Sequence, residues 1–304
     1  MSSASAATSM AKTAPRAHLF GISTAMVTPF GEDGNVDLVR FAGQADRVVT
    51  GGADGVTLFG TTGEGASLGP TEREAMLSAV LDAGISPDAV TVAIVASDLE
   101  TAETQARAAL TRGVTSLLLT PPFYFKGVDD DGVFDWMTDF IGRVADRSPR
   151  IILYHIPQMT GVSLDGPLIR RLKESCGEAI FGVKDSAGDW AHTEALLPMD
   201  DLAIMIGDER LLARAAPLGG AGAISGMANL MPEALGKVIR EGRQNTALDR
   251  LVEGVVAHPV TPMVKALVGA QIGDAAWTRT RAPLRPADPA VVENLAQQVA
   301  DLTS

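Results

Sequence analysis

From His18 onward the chain alternates short apolar runs with longer amphipathic stretches. Runs such as Gly55-Val56-Thr57-Leu58-Phe59 and Ile151-Ile152-Leu153-Tyr154-His155 have the length and β-branched content of buried strands. The stretches between them space apolar residues three to four apart, as in Leu38, Phe41, Ala45 and Val48, which is the spacing of one helix face. Strands are predicted to begin at Leu19, Val56, Val90, Val114, Ile151, Ala179, Leu202 and Gly222, and helices over 37–50, 101–111, 133–144, 164–173 and 211–218. A further helix opens at Pro70-Thr71-Glu72, with proline and acids in its first turn.

Eight strands with helices between them predict an α/β chain folded as a (β/α)8 TIM barrel. The rival, an open doubly wound sheet, requires Gly-x-Gly-x-x-Gly at a strand-to-helix turn, and Gly60-Thr61-Thr62-Gly63 is not that motif. After Ser225 the strand signal fades, and 232–241, 247–256, 260–268 and 290–302 read as helices. The predicted organisation is a disordered N-terminal tail over 1–17, a barrel over 18–228, and a C-terminal helical extension over 229–304 packed on the barrel.

Composition narrows the function classes. With 304 residues, 46% hydrophobic and 20% charged, the chain can bury a large core. A net charge of -12 without a basic stripe argues against a nucleic-acid partner. No run is long enough to cross a bilayer, and the Ser/Ala-rich start lacks the apolar centre of a signal peptide, so no membrane partner and a cytoplasmic location are expected. Cys176 is the only cysteine, and His18, His155, His192 and His258 show no ligand spacing, so no metal is expected.

Candidate chemistry lies where apolar runs stop. The run Ala179-Ile180-Phe181-Gly182-Val183 delivers Lys184, and the run before it delivers Tyr154. In a parallel barrel these strand ends form the active-site face. A lysine there is either ion-paired or held for chemistry as a neutral amine, since burial disfavours its charged form.

Gly60-Thr61-Thr62-Gly63-Glu64, Tyr154-His155-Ile156-Pro157 and Gly182-Val183-Lys184-Asp185-Ser186 resemble, in order and placement, three signatures of the dihydrodipicolinate synthase and N-acetylneuraminate lyase family. The resemblance spans roughly residues 18–300. It implies a lyase, a class I aldolase in which Lys184 forms a Schiff base with pyruvate and no other cofactor is needed. It also implies Tyr154 as the acid–base group, Thr61 as a proton relay, and Tyr124 lent by a neighbouring subunit of a homotetramer built as a dimer of dimers. Thr61, Thr62 and Gly63 would hold the pyruvate carboxylate. Ile224 would be an apolar wall and Gly207 a point of close backbone approach. Glu64 reads as a structural carboxylate.

The match breaks at the second substrate. The synthases carry an arginine where this chain has Met159, and the lyases' Tyr-Asp-Glu set is here Asp208-Glu209-Arg210. The expected reaction therefore joins pyruvate to a neutral aldehyde, or releases it from a 2-keto-3-deoxy acid, with Met159 lining the subsite. Lys126 and Arg210 are the cations able to replace the missing arginine, and Asp208, Glu209 and Ser225 are candidates to bind hydroxyls. The alternatives are 4-hydroxy-tetrahydrodipicolinate synthase, a 2-keto-3-deoxy sugar acid dehydratase, and a non-enzymatic pyruvate-binding sensor.

Overall fold

The computed structural model describes residues 20–303. The predicted tail over 1–17 and the expected strand start at Leu19 lie outside them. Eight parallel strands close into a barrel in sequence order: β1 Gly21–Ala25, β2 Gly55–Leu58, β3 Val90–Ile94, β4 Ser116–Leu119, β5 Arg150–His155, β6 Ile180–Asp185, β7 Ala203–Ile206 and β8 Gly222–Ser225. The first strand pairs with the last, so the sheet has no free edge. Nearly every strand residue is buried, which accounts for runs that are apolar throughout rather than alternating.

The helices are α1 Leu38–Thr50, α2 Pro70–Asp82, α3 Leu99–Thr111, α4 Asp130–Val144, α5 Pro157–Thr160, α6 Gly166–Cys176, α7 Trp190–Leu196, α8 Leu212–Ala215, α9 Pro232–Glu241, α10 Thr246–Val256, α11 Val260–Ile272 and α12 Pro289–Thr303. Asp37, Asp98, Asp129, Asp165 and Asp189 each accept a backbone N–H of the helix they precede. Such a cap contributes about 1 kcal/mol, and it fixes where the chain leaves each loop. Differences from the sequence reading are local. α5 and α7 are too short to show a periodicity, and 211–218 is not one helix. α8 covers only Leu212–Ala215 and is followed by a 3-10 turn, Ala216–Leu218, because Pro217 cannot continue the α-helical ladder.

Two apolar layers result. Ala25, Ala93, Leu118, Ile152, Tyr154, Ala203, Met205 and Ile224 fill the barrel interior. A larger cluster fills the space between strands and helices and includes Leu251, Val255, Val264 and Leu267 of α10 and α11. α10 packs on the 3-10 turn Glu209–Leu211 that follows β7, and α11 packs on the turn Met227–Asn229 that follows β8. The late helices thereby reach the face formed by the strand C-termini. Among the described residues no helix is long and apolar enough to cross a membrane.

Candidate active site

β5 and β6 run in register so that Tyr154 faces Lys184 and His155 faces Asp185. Side chains alternate along a strand, so the first pair points into the barrel and the second away from it. Lys184 is 5% exposed and Tyr154 3%. The Lys184 amine donates to the Tyr154 hydroxyl at 3.2 Å and sits 4.3 Å from the centre of its ring. Among the described residues it makes no ion pair. Its neighbour Asp185 is turned outward and takes hydrogen bonds from Thr193 and Ala187. The Tyr154 hydroxyl is also 3.5 Å from Thr61 Oγ1, which gives a line Thr61–Tyr154–Lys184 along which a proton can pass.

Thr61 sits in a tight turn after β2. Phe59 has φ +63° and Glu64 φ +56°, both left-handed. Gly65 closes the turn: its N–H donates to Gly60, and a Cβ there would lie 1.7 Å from the Phe59 carbonyl oxygen. The amides of Gly63, Glu64 and Gly65 are all used inside the turn. Those of Thr61 and Thr62 take no partner among the described residues. Consecutive free N–H groups beside a cavity form a cradle for an anion. Gly63, expected among the substrate-binding residues, does not line the cavity: its N–H bonds to Gly60 and its carbonyl accepts the Thr28 hydroxyl at 2.7 Å.

The turn is anchored from α11. Thr261 donates to the Thr61 carbonyl at 3.2 Å, and the Lys265 amine meets Glu64 Oε1 at 2.5 Å with both side chains fully buried. The second Glu64 oxygen accepts the Arg281 N–H at 3.0 Å. Glu64 thus binds the turn to the C-terminal helices, over 201 positions of sequence.

The cavity above Lys184 encloses about 600 Å³. Thr61, Thr62, Tyr154, Ile224 and Gly207 lie on its floor and sides, and Met159, Val255, Val256, Val260 and Leu284 on its outer wall. Gly207 is forced by packing, since a Cβ there would lie 2.0 Å from Ser186 Oγ. Asp208 and Arg210 both line the cavity but pair with each other at 2.6 Å. Glu209 is buried beside them, accepting the Ser225 hydroxyl at 2.5 Å and the Met227 N–H at 3.3 Å. Burial pushes its carboxyl above the ordinary value, against the lowering effect of Ser225. Lys126 does not line the cavity, because its amine is bound to the carbonyls of Phe123 and, at 2.7 Å, Thr160. Tyr124 is 74% exposed, packs edge-on against Phe125, and does not join Tyr154 and Thr61 within the chain.

One constellation escapes sequence reasoning. On the outer side of the same strand ends, His155, Asp185 and His192 meet. His192 Nδ1 lies 3.1 Å from Asp185 Oδ2 and its Nε2 3.0 Å from the Leu164 carbonyl. His155 Nδ1 accepts the Leu164 N–H at 3.0 Å. The two rings stack with centroids 3.9 Å apart and planes 14° from parallel. Their donor atoms are close enough for a metal site, but the in-plane lone pairs of stacked rings do not converge on one point. The sequence signal is that His155 and Asp185 directly follow Tyr154 and Lys184.

The model of the dihydrodipicolinate synthetase family matches residues 18–302. An uncharacterized DapA-like lyase of Chloroflexus aurantiacus is 34% identical, over 88% of this chain and 91% of the relative. The 4-hydroxy-tetrahydrodipicolinate synthase 1 of Streptomyces coelicolor is 35% identical, over 87% of this chain and 88% of its own. The crystal structure of dihydrodipicolinate synthase from Agrobacterium tumefaciens superposes with a TM-score of 0.90 at 42% identity, covering 94% of this chain and all of that one.

Proposed function

The chain belongs to the dihydrodipicolinate synthetase family and is a lyase of the class I pyruvate aldolase type, and on that premise we propose how its own residues carry the reaction. Lys184 attacks the C2 carbonyl of pyruvate as a neutral amine, forming a carbinolamine. The Tyr154 hydroxyl protonates the departing oxygen, water leaves, and the iminium remains. Loss of a proton from the C3 methyl group gives the enamine, whose C3 bonds to the carbonyl carbon of an aldehyde. The aldehyde oxygen takes up a proton, and hydrolysis of the new iminium frees Lys184. Thr61 relays protons to and from Tyr154. The amides of Thr61 and Thr62 hold the pyruvate carboxylate without a cation. Tyr124 acts across an interface, lent by a second copy in a homotetramer; its exposure on the loop after β4 supports that reading.

The single observation that carries the proposal is a buried amine whose polar contact is a tyrosine hydroxyl rather than a carboxylate. The test is reduction with borohydride in the presence of pyruvate. An irreversible pyruvyl adduct is expected on Lys184; an adduct on Lys173 or Lys265, or none, removes the mechanism.

For the second substrate we propose a neutral aldehyde, as released from a 2-keto-3-deoxy acid. Met159 is a flexible apolar wall where a carboxylate would need a cation, Lys126 is bound elsewhere, and Arg210 is neutralised by Asp208. Lack of a charged hydrogen bond costs a carboxylate-bearing substrate about 1.5–3 kcal/mol, or about ten- to a hundredfold. The competing reading, 4-hydroxy-tetrahydrodipicolinate synthase, is favoured by the names of relatives at 35% and 42% identity. Comparing kcat/KM for glyceraldehyde and aspartate semialdehyde at saturating pyruvate separates them. Aspartate semialdehyde ahead by tenfold or more would overturn the neutral-aldehyde assignment.

A further inference from the structure

The cluster on the outer side of β5 and β6 has no part in the chemistry above, yet it grips the two residues that directly follow Tyr154 and Lys184. We propose that His192 is a positioning residue: a doubly protonated imidazolium that ties the ends of β5 and β6 together from outside the barrel and so holds the Tyr154 hydroxyl against the Lys184 amine.

The protonation state follows from partners. Both ring nitrogens of His192 face atoms that only accept, the Asp185 carboxylate and the Leu164 carbonyl. A neutral ring has one N–H and satisfies one of them; the imidazolium satisfies both. The stacked ring of His155 is the complement. Its Nδ1 accepts the Leu164 N–H, so that nitrogen carries no proton, and a second cation 3.9 Å away would be repelled. Leu164 therefore meets both rings, donating its N–H to His155 and accepting from His192 at its carbonyl.

The groups facing His192 agree. Asp185 from β6, the Leu164 carbonyl before α6 and Asp189 at the start of α7 all favour its charge and hold its pKa above the ordinary value, with Asp185 the largest influence. Burial, then the charge on His192, push His155 down to about 4. Burial pushes the Asp185 carboxyl up, but its bonds to His192, Thr193 and Ala187 together outweigh burial and hold it below its ordinary value. A histidine whose folded pKa is raised contributes stability that is full below the unfolded value of ~6.5 and lost as pH rises through the folded value. His155 has the opposite sign. Its contribution is full above ~6.5, declines below that, and is gone under about pH 4. The protonation pattern of the clamp, a neutral His155 stacked on a charged His192, holds from about pH 4 up to the raised folded value of His192.

Because the inner pair and the outer pair are adjacent on the same two strands, a strand end that rotates when the outer contact breaks also turns Tyr154 away from Lys184. This step rests on Lys184 as the nucleophile; the protonation of His192 does not.

Nitrogen-15 NMR of the full-length protein at pH 7 is expected to show both His192 ring nitrogens protonated, titrating above 6.5. The rate of iminium formation with pyruvate, read by borohydride trapping in a pH series, should fall along the same titration. His192→Gln should slow trapping at pH 7 at least tenfold through kcat rather than KM, and abolish that inflection. Asp185→Asn should move the inflection to lower pH, and it carries the test if His192→Gln does not fold. A His192 with one ring proton at pH 7, or a variant with trapping rate and pH profile within twofold of the parent, overturns the proposal. A wild-type protein that forms no adduct while His192 titrates as described would instead refute the pyruvate reading and leave the clamp standing.

Discussion

Lys184 at the end of β6 is 5% exposed and Lys265 on α11 is 0% exposed. Each lies over an aromatic ring, Tyr154 at 4.3 Å in one case and Phe30 at 4.4 Å in the other. Their partners differ. Lys265 meets a carboxylate at 2.5 Å, and Glu64 opposes the downward push that burial exerts on its pKa. Lys184 meets a hydroxyl, which can give or take a proton and brings no negative charge. Burial alone therefore does not mark a nucleophile. The partner distinguishes the two amines: on the mechanism proposed above the end of β6 carries the reaction, while the Glu64 pair anchors α11.

Three substitutions sharpen that contrast. The largest effect is expected from Lys184→Met: turnover should fall below detection while the thermal midpoint stays at or above that of the parent, since no buried charge loses a partner. Tyr154→Phe removes the hydroxyl that distinguishes the reactive site and should lower kcat by about 10²–10⁴ with the fold retained, measured as steady-state pyruvate release or uptake. Lys265→Met should behave in reverse. It leaves Glu64 buried and unpaired, costing about 3–5 kcal/mol in urea unfolding, and adding Glu64→Leu should recover part of that loss. A Lys265→Met protein of unchanged stability would erase the distinction between the two lysines.

Much of this was legible in the chain. The polar residues closing the apolar runs at Tyr154 and Lys184 are inward-facing, and eight runs sufficed to identify the barrel. What was hidden depends on contacts between distant segments. The Glu64–Lys265 pair spans 201 positions, and the bond between His192 and Leu164 spans 28 and needs α7, a helix of two turns, to be in place. Gly63 shares a motif with Thr61 and Thr62, which line the cavity, but its own amide is consumed in closing the turn. Tyr124 stands exposed on the loop after β4, outside the lining of the cavity, and no periodicity encodes that placement.

Beside Met159, the outer wall of the cavity is supplied by Val255, Val256, Val260 and Leu284, all four later in the chain than every barrel strand. Order of synthesis therefore matters. Lys184 is made early, but its site gains a roof only when α10, α11 and the segment through Leu284 have left the ribosome and docked. Until then the Thr61 turn lacks its Thr261 and Lys265 anchors. Exchanging these late helices between relatives would therefore change the outer wall of the cavity and the anchoring of the Thr61 turn together.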